Sequence, residues 1–301
     1  MKKNKQNNFG FTLIEMMIVI AIIGILAGAI VLNNQKAVDK AIDAKVRIFA
    51  NSIPVTLAGS YVAQWKFDEL STAKEGAIIR DSWGSNNCTL YTGSDGLEKI
   101  SSNCVDGNCI SFDGTDDYLD CGNDASLNFD TSDFTVEVWA KALGGITGRG
   151  IINKGGWGSI GYSIQQAYSP ADKYYFVVRD SAGYKSVALS LSQAWGWSHI
   201  VGVKKTNYIE AYVNGVKVGS WSGTIGSLSN PTKKLEIGRS FNPYYFNGLI
   251  DGVRIYNQAL SAEKIQENYL AGLKELLAKG KISQAEYAAQ LDEFNKNLVQ
   301  K

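Results

Sequence analysis

The most continuous apolar segment of the chain lies near its N-terminus, after a short polar stretch. Residues 11–32 are almost wholly apolar, whereas residues 1–10 contain Lys2, Lys3 and Lys5. As an α-helix, the apolar segment is about 33 Å long at ~1.5 Å per residue, which is enough to cross a hydrocarbon core of ~30 Å. The preceding basic residues predict that the N-terminus stays in the cytoplasm and that the following chain is exported.

An apolar stripe at helical spacing continues beyond this segment until Pro54 ends it. The predicted N-terminal helix therefore covers residues 11–54 and is roughly 60 Å long. Two simple interpretations are a signal anchor and a secretory signal peptide, since Ala27-Gly28-Ala29 forms an A-x-A cleavage site. Glu15 argues against both, because a carboxylate deep in an apolar segment is costly and such residues are usually paired and functional.

Short β-rich runs separated by Gly, Asn, Asp and Ser turns follow from Tyr61 to Tyr256. Most of these runs alternate apolar with polar residues, which predicts strands with one buried face. Asn214-Gly215 lies between two such runs and predicts a type I′ hairpin, because that turn needs positive φ at both central residues. The pattern predicts an antiparallel β-sandwich over residues 61–258.

Helical spacing of apolar residues returns after Leu260. Gly280 is expected to end a first helix, and Ser283 with Glu286 forms a capping box that opens a second. The sequence thus predicts a helical hairpin over residues 261–301 and an α+β fold overall. The hairpin resembles a short module at the C-termini of many bacterial proteins, and it is expected either to pack on its own domain or to dock another subunit.

Composition excludes some classes of site and leaves others open. The net charge is +1 and 20% of the 301 residues are charged, so no nucleic-acid partner is expected. Four cysteines and one histidine, with no C-x-x-C, make a Cys/His zinc site a poor interpretation. The four cysteines are clustered downstream of the predicted membrane segment, which is typical of disulfides formed in an oxidising compartment. The turn between Cys104 and Cys109 favours a local bridge, leaving Cys88 with Cys121, although both other pairings remain open.

The residues Gly10-Phe11-Thr12-Leu13-Ile14-Glu15 resemble the processing signature of type IV pilins and pseudopilins. The resemblance implies that residues 1–10 are a leader, which a prepilin peptidase removes between Gly10 and Phe11 before the new Phe11 amine is methylated. It also implies that Glu15 pairs with the Phe11 ammonium of a neighbouring subunit in the filament core, where an unpaired charge is expensive.

Segments of the sandwich region resemble, in order, the laminin-G-like and concanavalin A-like jelly rolls of bacterial surface proteins. They are residues 65–69, 81–84, 111–118, 134–140, 197–200 and 248–256. The resemblance implies a structural calcium ion held by Asp68, Asp113, the carbonyl of Gly114 and Asp251. Gly252 stands where the family often has a glutamate, and the alternative is that these aspartates are solvated turn residues.

Exposed aromatic side chains are candidates for binding carbohydrate, because their flat faces pack against sugar rings. The candidates are Trp157, Tyr174, Tyr184, Tyr244 and Tyr245, with ordinary aromatic packing as the alternative. Catalysis is not expected. Glycoside hydrolysis needs paired carboxylates, whereas the strand that resembles the catalytic strand of related glycoside hydrolases offers only Glu137, which is expected to be solvated. A nucleophilic triad would need a histidine, and His199 is interpreted as structural.

These patterns lead to one main expectation about function. The chain is expected to enter the bacterial inner membrane as a single-pass precursor and to reach the cell surface in an extracellular pilus. Its expected partners are other pilin subunits, the prepilin peptidase and the assembly machinery, the membrane, and a carbohydrate for an adhesive sandwich. The alternatives are a secretion-type pseudopilin, a membrane-anchored glycan-binding protein that forms no filaments and, least favoured, an anchored glycan hydrolase.

Overall fold

The computed structural model describes residues 60–93, 99–143, 149–166, 173–189, 196–240 and 244–299. The chain divides into two compact units, Met1–Val55 and Thr56–Lys301, and all described residues belong to the second. The predicted N-terminal helix 11–54, with its membrane segment 11–32 and its processing site, lies outside the described residues. Within the described ranges, no helix is both long and apolar enough to cross a membrane.

The described residues form short strands followed by a pair of helices. In chain order the strands are β1 (Tyr61–Trp65), β2 (Ile78–Ile79), β3 (Cys88–Tyr91), β4 (Ile100–Ser101), β5 (Cys109–Asp113), β6 (Tyr118–Asp120), β7 (Phe134–Ala142), β8 (Gly150–Lys154), β9 (Gly161–Gln166), β10 (Tyr174–Asp180), β11 (Gly183–Leu189), β12 (Ser198–Lys205), β13 (Tyr208–Val213), β14 (Val216–Ser222), β15 (Glu236–Ile237) and β16 (Asn247–Tyr256). The helices are α1 (Ala262–Ala278) and α2 (Gln284–Val299), and a 3₁₀ turn covers Ala125–Leu127.

The strands assemble into two antiparallel sheets. Sheet A has the order β14-β13-β12-β7-β16-β5-β4, and sheet B has the order β11-β10-β9-β8-β15-β6-β3-β2. β1 and β5 share one edge of β16: β5 pairs with its first half and β1 with its second half. The two antiparallel sheets and the C-terminal helical pair confirm the predicted jelly-roll-like sandwich and helical hairpin.

The predicted turn between β13 and β14 is confirmed. Asn214 has φ 51° and Gly215 has φ 75°, as a type I′ turn requires. A side chain at Gly215 would also collide with the helical hairpin, since a Cβ there would lie 2.9 Å from the Phe294 ring and 3.1 Å from Tyr269. This position therefore needs glycine both for its backbone conformation and for close packing.

The main core lies between the two sheets and is filled by alternate residues of each strand. In β7, Phe134, Val136 and Val138 point into this core. Phe134 packs against Phe176 of β10 in sheet B with ring centroids 6.4 Å apart. Period-two alternation along β7 directs Thr135, Glu137 and Trp139 to the opposite face of sheet A.

The helical hairpin covers that opposite face. The Tyr269 ring of α1 stacks on Trp139 with centroids 5.9 Å apart and lies 5.6 Å from Phe294 of α2. The Ser261 hydroxyl caps α1 by accepting from the Lys264 N–H at 3.3 Å. These contacts support the prediction that the hairpin packs on its own domain.

The caps predicted for the end of α1 and the start of α2 are confirmed. The Ser283 N–H donates to Glu286 Oε2 at 2.7 Å, while the Glu286 N–H donates to Ser283 Oγ at 3.2 Å. This reciprocal pair satisfies backbone donors that α2 could not satisfy within itself. Gly280, with φ 65°, follows α1 as the predicted glycine cap.

The covering hairpin overturns the expectation that these strands have one buried face. All of β7 from Phe134 to Ala140 is buried, and Glu137 is 0% exposed rather than solvated. The reason is tertiary, because α1 lies more than 120 residues away in sequence and supplies the second apolar layer.

Both predicted disulfides are present. One joins Cys88 to Cys121 and the other joins Cys104 to Cys109, with no free cysteine among the four. The first links β3 to the end of β6 within sheet B, and the second closes the loop before β5.

Candidate functional site

The outer face of sheet B carries a row of mostly polar residues across five neighbouring strands. Strand register aligns Val177, Ser163, Asn153, Glu236 and Asp120 on β10, β9, β8, β15 and β6. The residues that alternate with them along these strands belong to the core between the sheets: Val178, Ile164, Ile152, Ile237 and Leu119. The row therefore faces away from sheet A.

A groove with a cavity of about 280 Å³ lies on this face. It is lined by Asn153, Gly155, Gly158, Ser159, Gln165, Lys233 and Ser240. The loop after β8 borders it, and Gly155 and Gly156 in that loop have φ values of 120° and 91°. A side chain at Gly156 would strike the Ser163 hydroxyl, so glycine lets the loop approach the sheet closely.

Several buried polar atoms at this face have no hydrogen-bond partner among the described residues. They are Trp157 Nε1, Ser163 Oγ, Gln165 Nε2 and Arg239 Nε. Ser163 and Gln165 are each only 1% exposed. Leaving a buried polar group unpaired costs about 1–3 kcal/mol, so a cluster of such atoms on one face is unusual for a purely structural surface.

An aromatic cluster stands beside the groove. The Trp157 ring lies 4.4 Å from the Tyr184 ring and 5.8 Å from Tyr175, centroid to centroid. Arg179 Nη1 donates to the Trp157 carbonyl at 2.7 Å and so ties the loop to β10. Tyr184 is 54% exposed, which leaves its ring accessible to a ligand. The structure thus brings together the predicted residues Trp157 and Tyr184.

A second aromatic cluster lies toward the other edge of sheet B. The Tyr91 and Tyr118 rings stack 4.8 Å apart, and the Arg239 guanidinium lies 3.5 Å from the Tyr118 ring centroid. The predicted residue Tyr245 belongs here, 6.2 Å from Tyr118, but it is mostly buried. Tyr244 is half-buried, and its carbonyl accepts from the Ser240 N–H at 3.1 Å.

Tyr174 does not belong to this face, which corrects the prediction for that residue. Its ring is part of the core between the sheets and it is 5% exposed. Burial raises the pKa of Tyr174 to about 12. Tyr175, the next residue along β10, points outward and contacts Trp157 instead. A shift of one residue moves a side chain to the opposite face of a strand, and Tyr174-Tyr175 does not reveal which of the two faces out.

The groove contains more basic than acidic groups. The Glu236 carboxylate pairs with Lys233 at 2.9 Å and with Arg239. Lys154 follows Asn153 on β8 and therefore points to the other face of the sheet, where its ammonium donates to the Lys233 carbonyl at 2.6 Å and to the Asn230 carbonyl at 3.3 Å. Burial, together with the charge on Lys233, lowers the pKa of Lys154 to about 8.

The predicted calcium ligands are divided between two places. Asn247 pairs with Asp113 across β16 and β5, and Asp251 lies four residues further along β16, about 13 Å away at ~3.3 Å per residue. Asp251 Oδ2 instead accepts from the backbone N–H groups of Val105 and Asp106, at 2.9 and 3.0 Å.

Asp68 and Asp251 together brace the loop closed by the Cys104–Cys109 bridge. Asp68 Oδ1 accepts from the Asn108 N–H of that loop at 3.1 Å. Burial raises the pKa of Asp251 to about 7, and the negative charge of Asp68 adds to the effect. The proximity of these two carboxylates is therefore accounted for by backbone hydrogen bonding.

Asp113 belongs to a different acidic group with Asp116 and Asp117. Ligand oxygens of these three residues lie within 4.8 Å of one another, so the group could hold a metal ion. Lys99 Nζ lies 2.9 Å from Asp117 Oδ2, and burial raises the pKa of Asp117 to about 6. Gly114, the remaining predicted ligand, faces the Arg149 guanidinium, whose Nη1 would lie 2.9 Å from a Cβ there.

Glu137 and His199 belong to a buried polar network. The Glu137 carboxylate lies 3.0 Å from His199 Nε2 and accepts from Arg254 Nη1 at 2.8 Å. It also accepts from the Tyr256 hydroxyl at 2.7 Å and from Asn268 Nδ2 of α1 at 2.9 Å. Burial alone would raise the pKa of Glu137, but Arg254 and the other donors outweigh it and hold that pKa well below its usual range. The network connects sheet A to the hairpin.

Two sequence families match parts of the chain. The concanavalin A-like lectin/glucanases superfamily matches residues 113–266. The prokaryotic N-terminal methylation motif, the signature of type IV pilins, matches residues 5–31 and includes Gly10, Phe11 and Glu15. Among curated proteins, none matches the chain.

Solved structures similar to this chain include domains of toxins and of a polysaccharide-degrading enzyme. The binding domain of Paraclostridial Mosquitocidal Protein 1 is 18% identical with a TM-score of 0.55, over 72% of this chain and 53% of that one. The botulinum neurotoxin serotype D binding domain is 17% identical with a TM-score of 0.53, over 72% and 52%.

The third similar structure is domain 4 of AbnA, a GH43 extracellular arabinanase from Geobacillus stearothermophilus, in complex with arabinotriose. It is 18% identical with a TM-score of 0.51, over 69% of this chain and 97% of that domain. The chain spans about half the length of the two toxin domains. At these identities the likeness establishes the fold alone.

Proposed function

The chain belongs to the concanavalin A-like lectin/glucanases superfamily and carries the type IV pilin methylation motif, and from this combination we propose a pilin-like subunit that displays a carbohydrate-binding sandwich. The observation that carries the proposal is the coexistence of two features in one chain. One is the motif at residues 5–31. The other is the groove on sheet B, with its aromatic border and unpartnered polar atoms.

The proposed assembly begins in the bacterial inner membrane. A prepilin peptidase cuts between Gly10 and Phe11, the Phe11 amine is methylated, and the assembly machinery moves the subunit into a surface pilus. Glu15 pairs with the Phe11 ammonium of a neighbouring subunit, since an unpaired carboxylate in an apolar filament core is expensive.

Two measurements test the assembly proposal. Mass spectrometry of the surface protein should find a mature N-terminus at methylated Phe11. Glu15→Ala should abolish incorporation into filaments seen by electron microscopy, whereas the control Glu69→Ala, at an exposed residue of the folded unit, should assemble normally. Normal filaments from Glu15→Ala would contradict the proposed role of Glu15. Correct processing without any filaments in the unsubstituted protein would favour the pseudopilin or the membrane-anchored alternative.

For the displayed sandwich, we propose that the groove binds carbohydrate. Sugar rings pack on flat aromatic faces while nearby polar groups bond their hydroxyls, and the groove offers Trp157 and Tyr184 beside Ser163 and Gln165. A similar solved domain is described in complex with arabinotriose, which supports the class of ligand.

A glycan array probed with the full-length protein in detergent tests this binding. Trp157→Ala and Tyr184→Ala should each weaken binding at least about tenfold, as loss of a contact worth about 1.4 kcal/mol does. The control is Trp83→Ala, because Trp83 is an exposed tryptophan that packs on Tyr61 and does not line the groove. An array without any bound glycan would refute the proposal, as would equal loss in the Trp83 control.

The ion pairs made by the carboxylates at the groove favour carbohydrate binding over hydrolysis. A glycosidase needs two carboxyl groups that flank the scissile bond and are free to act on it. Glu236 and Asp120 face each other across β15 and β6, but Glu236 pairs with Lys233 and Arg239, and Asp120 pairs with Lys234 at 2.6 Å. Both carboxylates are therefore already held by basic side chains of the protein, which suits a binding face.

A structural calcium ion, in our proposal, binds at Asp113, Asp116 and Asp117 rather than at the set implied by family resemblance. Calcium takes six to eight oxygen ligands, and three carboxylates already converge here. Lys99 would have to give way to the ion. Calorimetric titration with CaCl₂ should give saturable heat that Asp116→Asn removes, and no heat at millimolar calcium would refute the proposal.

A further inference from the structure

The hydrogen-bonding capacity left open at the groove consists mainly of donors. Gln165 Nε2 in the groove, Trp157 Nε1 at its border and Arg239 Nε in the second aromatic cluster can only donate, and none has a partner within the described part of the chain. Ser163 Oγ can donate or accept. A ligand that satisfies these atoms must therefore present several acceptor oxygens.

The strongest acceptors at the groove are already used within the protein. Glu236 Oε1 accepts from Arg239 and Glu236 Oε2 accepts from Lys233. Asn153 Oδ1 accepts from the Gly155 N–H at 3.0 Å, while its Nδ2 donates to the Ser240 carbonyl. These internal bonds leave the groove with donors to offer and few acceptors.

The charges at the groove show the same imbalance. Lys233, Lys234, Arg179 and Arg239 lie on or near the lining residues, against the two carboxylates of Glu236 and Asp120. Like charges held together in a partly enclosed cleft attract anions strongly.

We propose that the groove selects an acidic saccharide and that it binds the carboxylate of a uronic acid or a sialic acid-type sugar. Lys233 pairs with that carboxylate and Gln165 Nε2 donates to it, while the sugar rings extend toward Trp157 and Tyr184. This inference rests on the proposed carbohydrate binding and narrows its ligand class. A neutral sugar would satisfy the donors through its hydroxyl oxygens but would leave the excess positive charge unbalanced.

The experiment compares matched acidic and neutral ligands on the full-length protein in detergent. Calorimetry with oligogalacturonate and with its carboxyl-reduced form, and with a sialylated oligosaccharide and its desialylated core, separates carboxylate recognition from ring recognition. The carboxylated member of at least one pair should bind at least tenfold more tightly. That advantage should shrink as salt is raised from 50 to 500 mM, because screening weakens charge pairing.

Two variants locate the effect. Lys233→Gln should reduce affinity for the carboxylated ligand about tenfold and leave affinity for the neutral ligand within twofold. Lys66→Gln, at an exposed lysine outside the groove lining, should change neither affinity. If Lys233→Gln fails to fold, the salt dependence of the unsubstituted protein still decides the question.

The outcomes separate this inference from the function on which it rests. Equal or tighter binding of the neutral members would overturn selection for acidic sugars while leaving carbohydrate binding intact. Preference for sulfated ligands over carboxylated ones, tested with a sulfated galactan, would overturn the assignment of a carboxylate. Failure of every saccharide to bind would overturn both proposals.

Discussion

Replacing Glu137 with alanine removes the acceptor through which sheet A holds the helical hairpin. The carboxylate is 0% exposed and bonds two residues of β16, Arg254 and Tyr256, together with His199 of β12 and Asn268 of α1. The substitution leaves the Arg254 guanidinium without its carboxylate and the other groups without their acceptor. Removing one partner of a buried ion pair costs about 3–5 kcal/mol.

We expect Glu137→Ala to lower the free energy of unfolding by about 4 kcal/mol in total. Each additional orphaned donor would cost about 1–3 kcal/mol if isolated, but the donors share one acceptor, so their losses do not add. For a domain of this size, each kcal/mol lowers the melting temperature by about 2–4 °C, which predicts a decrease of about 8–16 °C. Because Asn268 belongs to α1, the hairpin should also become more exposed.

The assay is thermal unfolding followed by near-UV circular dichroism, combined with hydrogen exchange over residues 262–299. Glu137→Gln keeps the shape and one acceptor oxygen, so it should lose about half as much stability. The control Glu69→Ala removes an exposed carboxylate with one bond, to the Arg80 N–H at 3.2 Å, and should stay within about 1 kcal/mol of the unsubstituted protein. A loss below about 1 kcal/mol in Glu137→Ala, with unchanged exchange in the hairpin, would refute the reasoning.

Three further predictions concern stability. Removing the Cys88–Cys121 bridge, which spans 33 positions, should lower the free energy of unfolding by ~4 kcal/mol, whereas removing the Cys104–Cys109 bridge, which spans 5, should lower it by ~2 kcal/mol. Urea titration of variants in which both cysteines of one bridge are replaced by serine measures each loss. The folded pKa of Asp251 is raised from 3.8 to about 7, so folding favours its protonated form and stability should fall by about 4 kcal/mol as pH rises from 4 through 7. Asp251→Asn should flatten that pH profile, and an unchanged profile would contradict the assignment. Gly202→Ala should lower the free energy of unfolding, measured by urea titration, by about 1–3 kcal/mol, because the added methyl group would collide with the Phe176 ring. Unchanged stability would show that the core adjusts freely to the methyl group.

The sequence by itself determined the features that depend on neighbouring residues. The processing motif around Gly10 and Phe11 is a contiguous signal, and a family match at residues 5–31 supports it. The Asn214-Gly215 turn follows from φ requirements within two residues, and the Ser283–Glu286 capping box from spacing within one helical turn. Period-two alternation was enough to predict a sandwich, because every strand must bury at least one face.

Candidate site residues were predicted less evenly, because a site depends on strand register. Trp157 and Tyr184 were predicted from residue type and lie together. Tyr174 was predicted for the surface, but the register of β10 turns it into the core and presents Tyr175. Ser163 and Gln165 were missed, although they alternate with apolar residues along β9 and that alternation could have indicated an outward polar face.

Only the tertiary structure decided the environment of residues that meet across long separations. The sequence alone predicts that Glu137 is a solvated strand residue. In the structure α1, which lies more than 120 positions later in the chain, covers Glu137 and supplies Asn268 as a hydrogen-bond donor. Asp113 and Asp251 are each followed by glycine in the sequence, yet Asp113 ends β5 whereas Asp251 lies in the middle of β16, about 13 Å away. Burial, charge balance and unsatisfied hydrogen bonds belong to the packed arrangement, because they depend on which groups exclude water from one another.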